Sequence, residues 1–375
     1  MPRILYQHAL VIGKFYPPHI GHEYLIRTAA THSQAVTVLV LGASAESIPI
    51  ARRVGWLQSA MHSTPQVRIV GALDDVPVDC HDDAVWQAHV DIMKTALAGE
   101  VQAGDVTAPP VDAVFSSEAY GARLAAYFSA QHVCLDPRRS HYRTSGTAVR
   151  ADLAGQWHCL SPAVQAGMAL RVVVLGAEST GTTTLSRDLA AAMRARGGVW
   201  SQTQWVAEFG REYSATLLAL AQVVDPQATV HDIDWQTGDF ETVARTQCLR
   251  EDTAAAHGSP VLVCDTDALA TCIWHERYMG CSSPAVLGIA QAMPPRALYV
   301  LTGEVGVAFE DDGLRDGEHL RTGMNQRFRE TLATQDVAWI EVQGTPAQRC
   351  AQALRAIDAQ ILVAHTFAAP LTVAI

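Results

Sequence analysis

The chain has 375 residues, 49% of them hydrophobic and 17% charged, with no low-complexity tract; that length exceeds one ordinary domain and points to two globular ones. Its net charge of −11 is divided unevenly, 12 basic against 14 acidic residues through Met168 and 15 against 24 from Ala169 onward, so neither half carries the footprint of a nucleic-acid binder. Apolar runs are strand-length and no basic stretch leads into a long apolar core, so neither a secretory signal nor a membrane span is visible, and a cytoplasmic location without a membrane partner is the expectation.

Taken in chain order, the first half alternates strands with helices. Strands are expected at Leu5–Ile12, Val36–Leu41, Gln66–Val70, Ala113–Phe115 and His132–Leu135, and helical segments at Tyr24–Ser33, Arg52–Ser63, Ala84–Leu97 and Tyr120–Phe128. That alternation is the pattern of a doubly wound parallel sheet. The first strand runs into GKFYPPHIGH, Gly13 to His22, and then into a helix. His19 and His22 are three residues apart and share one helix face, so both imidazoles and the free N–H groups of the helix start converge on one point, which suits a polyphosphate. Gly13 lets the backbone approach a nucleotide, Pro17-Pro18 fixes the loop, and Gly21 allows close contact with a base. Near the end of the same half, TSGTAVR, Thr144 to Arg150, reads alone as either a capped helix start or a phosphate site.

Leu160 to Met168, LSPAVQAGM, marks the junction between a first domain, 1–165, and a second, 169–375. The second half repeats the architecture, with strands at Val172–Leu175, Val261–Cys264, Ala297–Leu301 and Ala338–Val342. Its first strand is followed by GAESTGTTT, Gly176 to Thr184, the context of the phosphate loop GxxxxGK[ST]. Gly176, Ser179, Thr180, Gly181, Thr182, Thr183 and Thr184 are the expected cradle for ATP phosphates, with the Thr183 hydroxyl on Mg²⁺. The lysine position is occupied by Thr182. Only two of the 27 basic residues are lysines, Lys14 and Lys94, so a substitute cation must be an arginine or come from a lid on the substrate side. The strand VLVCDTD ends in acids: Asp265 for the metal, and Asp267 to activate or orient an acceptor hydroxyl, although a strand-end acid can equally be structural. The eight cysteines, among them Cys80, form no C-x-x-C pair and read as reduced thiols.

GKFYPPHIGH closely resembles the GxFxPxHxGH signature of the nucleotidylyltransferase superfamily, whose members move a nucleoside monophosphate from a triphosphate onto a phosphate acceptor; TSGTAVR resembles its ISSTxxR motif, with Gly146 in a serine position. Together with Arg53–Leu57, Val85-Trp86 through Lys94 and Val114–Glu118, these runs look like the adenylyltransferase domain of the bifunctional NadR-type enzymes, which couple nicotinamide mononucleotide adenylyltransferase to ribosylnicotinamide kinase. The second half is similar to the kinase domain of that family through GAESTG, Val206–Tyr213, Asp239-Phe240 with Gln247, DTDALAT with Trp274 and Tyr278-Met279-Gly280, DDGLRD from Asp311 to Asp316, and Arg321.

The resemblance implies two α/β domains, a Rossmann-like nucleotidylyltransferase and a P-loop kinase-like domain. In the first, His19 and His22 would be catalytic, and ATP would also touch Gly13, Phe15, Gly21, Ser145, Gly146, Thr147 and Arg150. Lys14 and Trp86 are the candidates for the acceptor, against the plain alternatives of a solvated loop lysine and of a helical tryptophan, like Trp56, that belongs to the core. In the second, Arg315 and Arg321 would approach ATP phosphates, and Glu208, Arg211 or Trp274 would lie near the riboside. The implied small molecules are ATP as co-substrate, nicotinamide riboside, its mononucleotide and NAD, with Mg²⁺ as cofactor; homo-oligomerisation stays open. Some NadR-type proteins add a helix-turn-helix repressor segment before the first domain; a first strand expected about five residues from Met1 leaves no room for it, so that regulatory role is not carried over. The missing loop lysine keeps a further alternative: an active adenylyltransferase whose second domain is a weak kinase or a nucleotide sensor.

Overall fold

The computed structural model describes residues 4–79, 81–99, 109–315 and 317–371; Cys80 and Asp316 lie outside the described residues. Two compact units result, one of Met1–Gly167 with His365–Ile375 and one of Met168–Ala364.

The first unit contains β1 (Tyr6–Gly13), α1 (Ile20–His32), β2 (Ser33–Gly42), α2 (Ile50–Ala60), β3 (Val67–Leu73), α3 (Asp83–Gly99), β4 (Ala113–Ser116), α4 (Tyr120–Tyr127), β5 (Gln131–Cys134), α5 (Gly146–Ala151) and α6 (Pro162–Met168). Its strands form one parallel sheet in the order β3-β2-β1-β4-β5. Alternation along β1 sends Ala9 and Val11 to the face covered by α1 and α2, with Ile26 and Leu57, and sends Leu10 to the face covered by α3 and α4, with Val90 and Leu124. The direction of winding reverses between β1 and β4, which opens a crevice outside their carboxyl ends. β2 begins at Ser33, where the sequence alone continued a helix. The pairing of Tyr6 with Ser33 extends the ladder into polar residues that give no strand signal of their own.

The second unit contains β6 (Leu170–Leu175), α7 (Thr182–Arg194), β7 (Gln204–Val206), α8 (Phe209–Val224), α9 (Thr237–Ala255), β8 (Val261–Asp265), α10 (Ala268–Met279), α11 (Pro284–Gln291), β9 (Arg296–Thr302), α12 (Arg321–Ala333), β10 (Trp339–Val342) and α13 (Pro346–Ala364). Its parallel sheet has the order β10-β9-β6-β8-β7. The central strand β6 is wholly apolar over Val172–Leu175 and packs under α7 through Leu185 and Leu189. That docking aims the loop between β6 and α7 at the carboxyl edge, beside the end of β8. The edge strand β7 escaped the sequence reading because three residues are too few to show a period.

The sequence reading placed everything after residue 169 in the second domain, and the structure corrects this for the segment that follows α13. Residues 365–371 return to the first unit, where Ala368 exchanges hydrogen bonds with Tyr16 and Ser47. Among the described residues, no helix is long and apolar enough to cross a membrane.

Candidate active sites

The first centre is built where β1 ends. Phe15 turns inward and is 1% exposed, His19 is the N-cap of α1, and Gly21 and His22 sit in its first turn. The backbone N–H of His19 donates to Nδ1 of His22 at 3.2 Å, which leaves the ring proton of His22 on Nε2. The two imidazoles stack with centroids 3.6 Å apart, and Phe15 meets His22 edge-on at 4.8 Å. Burial, then the Arg139 charge, pushes the pKa of His19 down to about 4; burial, then the neighbouring His19 and Arg139, drives that of His22 well below the ordinary value. Both rings are therefore neutral near pH 7, each with one N–H. Nδ1 of His19 is buried without a partner, a polar atom left open at the centre.

The second motif meets this loop at Tyr16. Arg150 donates through Nη1 to the carbonyl of Tyr16 at 2.7 Å and, through Nη2, to the Thr147 hydroxyl at 3.4 Å. Ser145 is the N-cap of α5, its Oγ accepting from the Ala148 N–H at 3.1 Å. A Cβ on Gly146 would lie 3.2 Å from both Arg150 Nη1 and the Tyr16 oxygen, so this close approach favours glycine where the resembled motif has serine. Lys14 pairs with Glu46 at 2.9 Å, and Glu46 also takes Arg53 at 2.7 Å. Arg53 in turn donates to the carbonyls of Ile48 and Lys14. Trp86 stacks on Tyr127 at 6.2 Å with Arg123 over its ring at 4.7 Å, so the expected acceptor platform is engaged in the packing of α3 against α4.

In the second unit a cavity of about 820 Å³ is lined by every expected loop residue, Gly176, Ser179, Thr180, Gly181, Thr182, Thr183 and Thr184, and by Glu208, Arg211, Asp265, Trp274 and Arg315. Gly181 starts α7 with φ 88°, the left-handed conformation that glycine adopts at little cost. The loop is braced by Arg349, which also lines the cavity and donates to the Thr180 carbonyl at 2.9 Å, by Arg321, which donates to that of Ser179 at 3.2 Å, and by the Ala177 N–H, which donates to Asn325 Oδ1 at 2.8 Å. The first N–H groups of α7 remain as anion donors.

Asp265 closes β8 at this cavity, and its Oδ1 is buried without a partner. Burial raises its pKa, held back by the Thr183 hydroxyl and by the charges of Arg187 and Arg211. An open carboxylate oxygen beside a hydroxyl is an all-oxygen donor set, which fits Mg²⁺. Glu208 is raised by burial and by the charge of Asp265, against the pull of Arg211. Aromatic side chains wall another part of the cavity: Trp235 lies 5.1 Å from Phe240 and 5.3 Å from Tyr278 between centroids. Two buried donors there, Trp235 Nε1 and Gln247 Nε2, have no partner, while Gln247 Oε1 accepts from the Phe209 N–H at 3.0 Å.

Two expected site residues stand elsewhere. Asp267 does not line the cavity and is 1% exposed. Its Oδ1 caps α10 by accepting from Leu269 and Ala270, and its Oδ2 accepts from Arg296 and from the Tyr299 hydroxyl, each at 3.0 Å. Those bonds occupy both oxygens, so Asp267 is a structural cap and has no acceptor hydroxyl to orient. Arg321 is 5% exposed and spends its guanidinium on the carbonyls of Val307 and Ser179, bracing the loop from behind. Arg315 and Arg211 do reach the cavity and both pair with Asp312. Sequence reasoning missed Glu46, Arg139, Asn325 and Arg349, isolated polar residues, and gave Arg53 no role although it lies in a resembling run.

A family described as an AAA domain matches residues 171–349. The trifunctional NAD biosynthesis/regulator protein NadR of Escherichia coli strain K12 is 24% identical over 319 residues, covering 82% of this chain and 71% of that protein. Its counterpart from Salmonella typhimurium strain LT2 is 23% identical over the same shares. This chain is a homologue of NadR. The crystal structure of a NadR protein in complex with NR has the same fold, with a TM-score of 0.63 at 16% identity over 96% of this chain and 98% of that one. A NadR protein in complex with NAD and AMP-PNP gives 0.61 at 18% identity over 95% and 97%. The NadR likeness thus runs through both sheets.

Two expectations follow. Asp267→Ala should cost about 3–5 kcal/mol of stability by stripping a helix cap and leaving Arg296 short of a buried partner, whereas Asp265→Asn should keep or raise stability because it removes a buried carboxyl. Denaturant midpoints decide; equal losses for both would contradict the assignment. For the histidines, the unfolded chain binds protons before the folded one does, so their contribution to stability is present above pH 6.5, the free imidazole value, and is lost as pH falls toward about 4. In NMR titration their ring protons should stay flat from about pH 8 to 5.5, and a midpoint near 6.5 would contradict burial as neutral donors.

Proposed function

We propose that the chain is a two-centre enzyme of NAD synthesis from nicotinamide riboside. In the second unit the riboside 5′-hydroxyl attacks the γ-phosphorus of ATP, the bond to ADP breaks, and the hydroxyl proton passes to a carboxylate. Glu208, half-buried at the cavity with a raised proton affinity, takes the role expected of Asp267. Asp265 and Thr183 would hold Mg²⁺, which supplies charge neutralisation on the phosphates. The observation that carries this assignment is one cavity with a phosphate loop in one wall and, in another, an aromatic lining with two unpartnered buried donors. That is the demand of a kinase for a flat, hydrogen-bonding nucleoside.

In the first unit a phosphate oxygen of the resulting mononucleotide attacks the α-phosphorus of a second ATP, and pyrophosphate leaves. No enzyme nucleophile takes part. His22, with its proton fixed on Nε2, and His19 donate to the phosphoryl oxygens as charge builds, and because both start neutral they need not give up a proton to bind the anion. Thr182 favours a second reading of the other unit, a domain that binds nucleotide but transfers phosphate slowly and serves as a sensor.

Purified protein incubated with Mg·ATP and, separately, riboside or mononucleotide should give the mononucleotide and NAD⁺ respectively. His22→Ala should lower NAD⁺ formation by about 10²-fold or more and leave riboside phosphorylation unchanged; equal adenylyl transfer in that variant would remove the histidines from the chemistry. If arginines supply the missing loop charge, Thr182→Lys should change riboside phosphorylation little and Arg315→Ala should lower it by about 10³-fold. A large gain in Thr182→Lys from a very low baseline would instead support the weak kinase. No phosphorylation in either protein would leave the sensor.

A further inference from the structure

We infer that residues 365–371 are a working part of the first centre: a strap that holds the nucleotide-binding loop at Tyr16, with Phe367 and the Ala368 backbone as positioning groups. The inference rests on the adenylyl-transfer reading of that centre. Tyr16 lies inside GKFYPPHIGH, three residues before His19, and is 1% exposed. Its carbonyl receives Arg150, and the guanidinium carbons of Arg53 and Arg150 each lie 5.0 Å from its ring centroid. Through this one residue the loop is tied to the arginine of the second motif and, by way of Arg53, to the buried carboxylate of Glu46.

The phenol of Tyr16 is where the strap attaches. It accepts from the Ser47 N–H at 2.9 Å and donates to the Ala368 carbonyl at 3.1 Å. Ala368 closes the ring of bonds by donating its N–H to Ser47 Oγ at 2.7 Å, and Phe367 packs edge-on against Tyr16 at 6.0 Å. Ser47 belongs to the loop after β2, next to Glu46. The segment thus joins the loop after β1 to the loop after β2 at a single buried hydroxyl, and without it that hydroxyl keeps a proton with no acceptor from the strap. None of these groups is among those assigned to substrate. Their effect is to narrow the positions open to His19, His22 and the carbonyl that fixes Arg150, which is how preorganisation lowers the cost of binding a flexible triphosphate.

Phe367→Ala removes the packing, and Ala368→Pro removes the N–H that reaches Ser47. In both full-length variants the KM for ATP in adenylyl transfer should rise about tenfold, the scale of one or two lost net hydrogen bonds, with kcat falling less. Hydrogen exchange across 13–22 should speed up while exchange in the β1–β5 sheet core stays slow, which reports an intact first unit, and riboside phosphorylation in the same preparations stays unchanged. Tyr16→Phe should reproduce the exchange and KM effects. Unaltered KM and unaltered exchange at 13–22 in these variants would overturn the strap. Should the parent chain form no NAD⁺ while exchange at 13–22 still rises in the variants, the strap stands and the adenylyl-transfer reading fails.

Discussion

Polyphosphate brings several negative charges to one place, and this chain must meet them almost without lysine. Of its two lysines, Lys14 is held by Glu46, and Lys94 lies in α3 with its ammonium near the Phe128 ring. The compensating groups are therefore backbone N–H donors at helix starts, neutral imidazoles and arginines. Arginine side chains make five directed donors, so they can brace a loop through its carbonyl oxygens, as Arg321 and Arg349 do on the phosphate loop, as readily as they can face an anion. The division is visible in their partners. Arg321 is buried on carbonyl oxygens away from the cavity, Arg349 holds carbonyl oxygens at the cavity wall, and Arg211 and Arg315 line the cavity and share Asp312.

The same constraint separates the two acids that end β8. Asp265 and Asp267 look interchangeable in DTD, yet the chain turns between them at Thr266, which has φ 67°. Asp265 keeps an unpartnered oxygen at the cavity, and Asp267 is consumed by the start of α10, Arg296 and Tyr299. A carboxylate with both oxygens engaged has no capacity left for chemistry. Glu208, at the same cavity, has its affinity for a proton raised by burial and by the charge of Asp265.

Both loops were legible in the sequence because their signals are local. Glycine, proline and histidine spacing after an apolar strand determines where backbone donors point, and the two parallel sheets follow from strand-helix alternation. What the sequence withheld is the set of partners brought in from far away. Tyr16 meets Ala368 across 352 positions, Asn325 reaches Ala177 across 148, and no periodicity or motif announces either pair. Trp86 illustrates the converse: an aromatic on an amphipathic helix looks the same whether it stacks on a ligand or, as here, on Tyr127. Glu46 gave no signal beyond being a charged residue near apolar ones, and Arg53, although inside one of the resembling runs, gave no sign of its buried partner Glu46.

The central claim is that two transfers occur in sequence within one chain, each at its own loop. Feeding nicotinamide riboside with ATP labelled at the γ-phosphorus in one reaction and at the α-phosphorus in another tests it directly. The account predicts both labels in the NAD⁺ product in equal amount, the γ-label on the nicotinamide side and the α-label on the adenosine side of the pyrophosphate bridge. NAD⁺ carrying only the α-label, or no labelled dinucleotide from riboside at all, would contradict it.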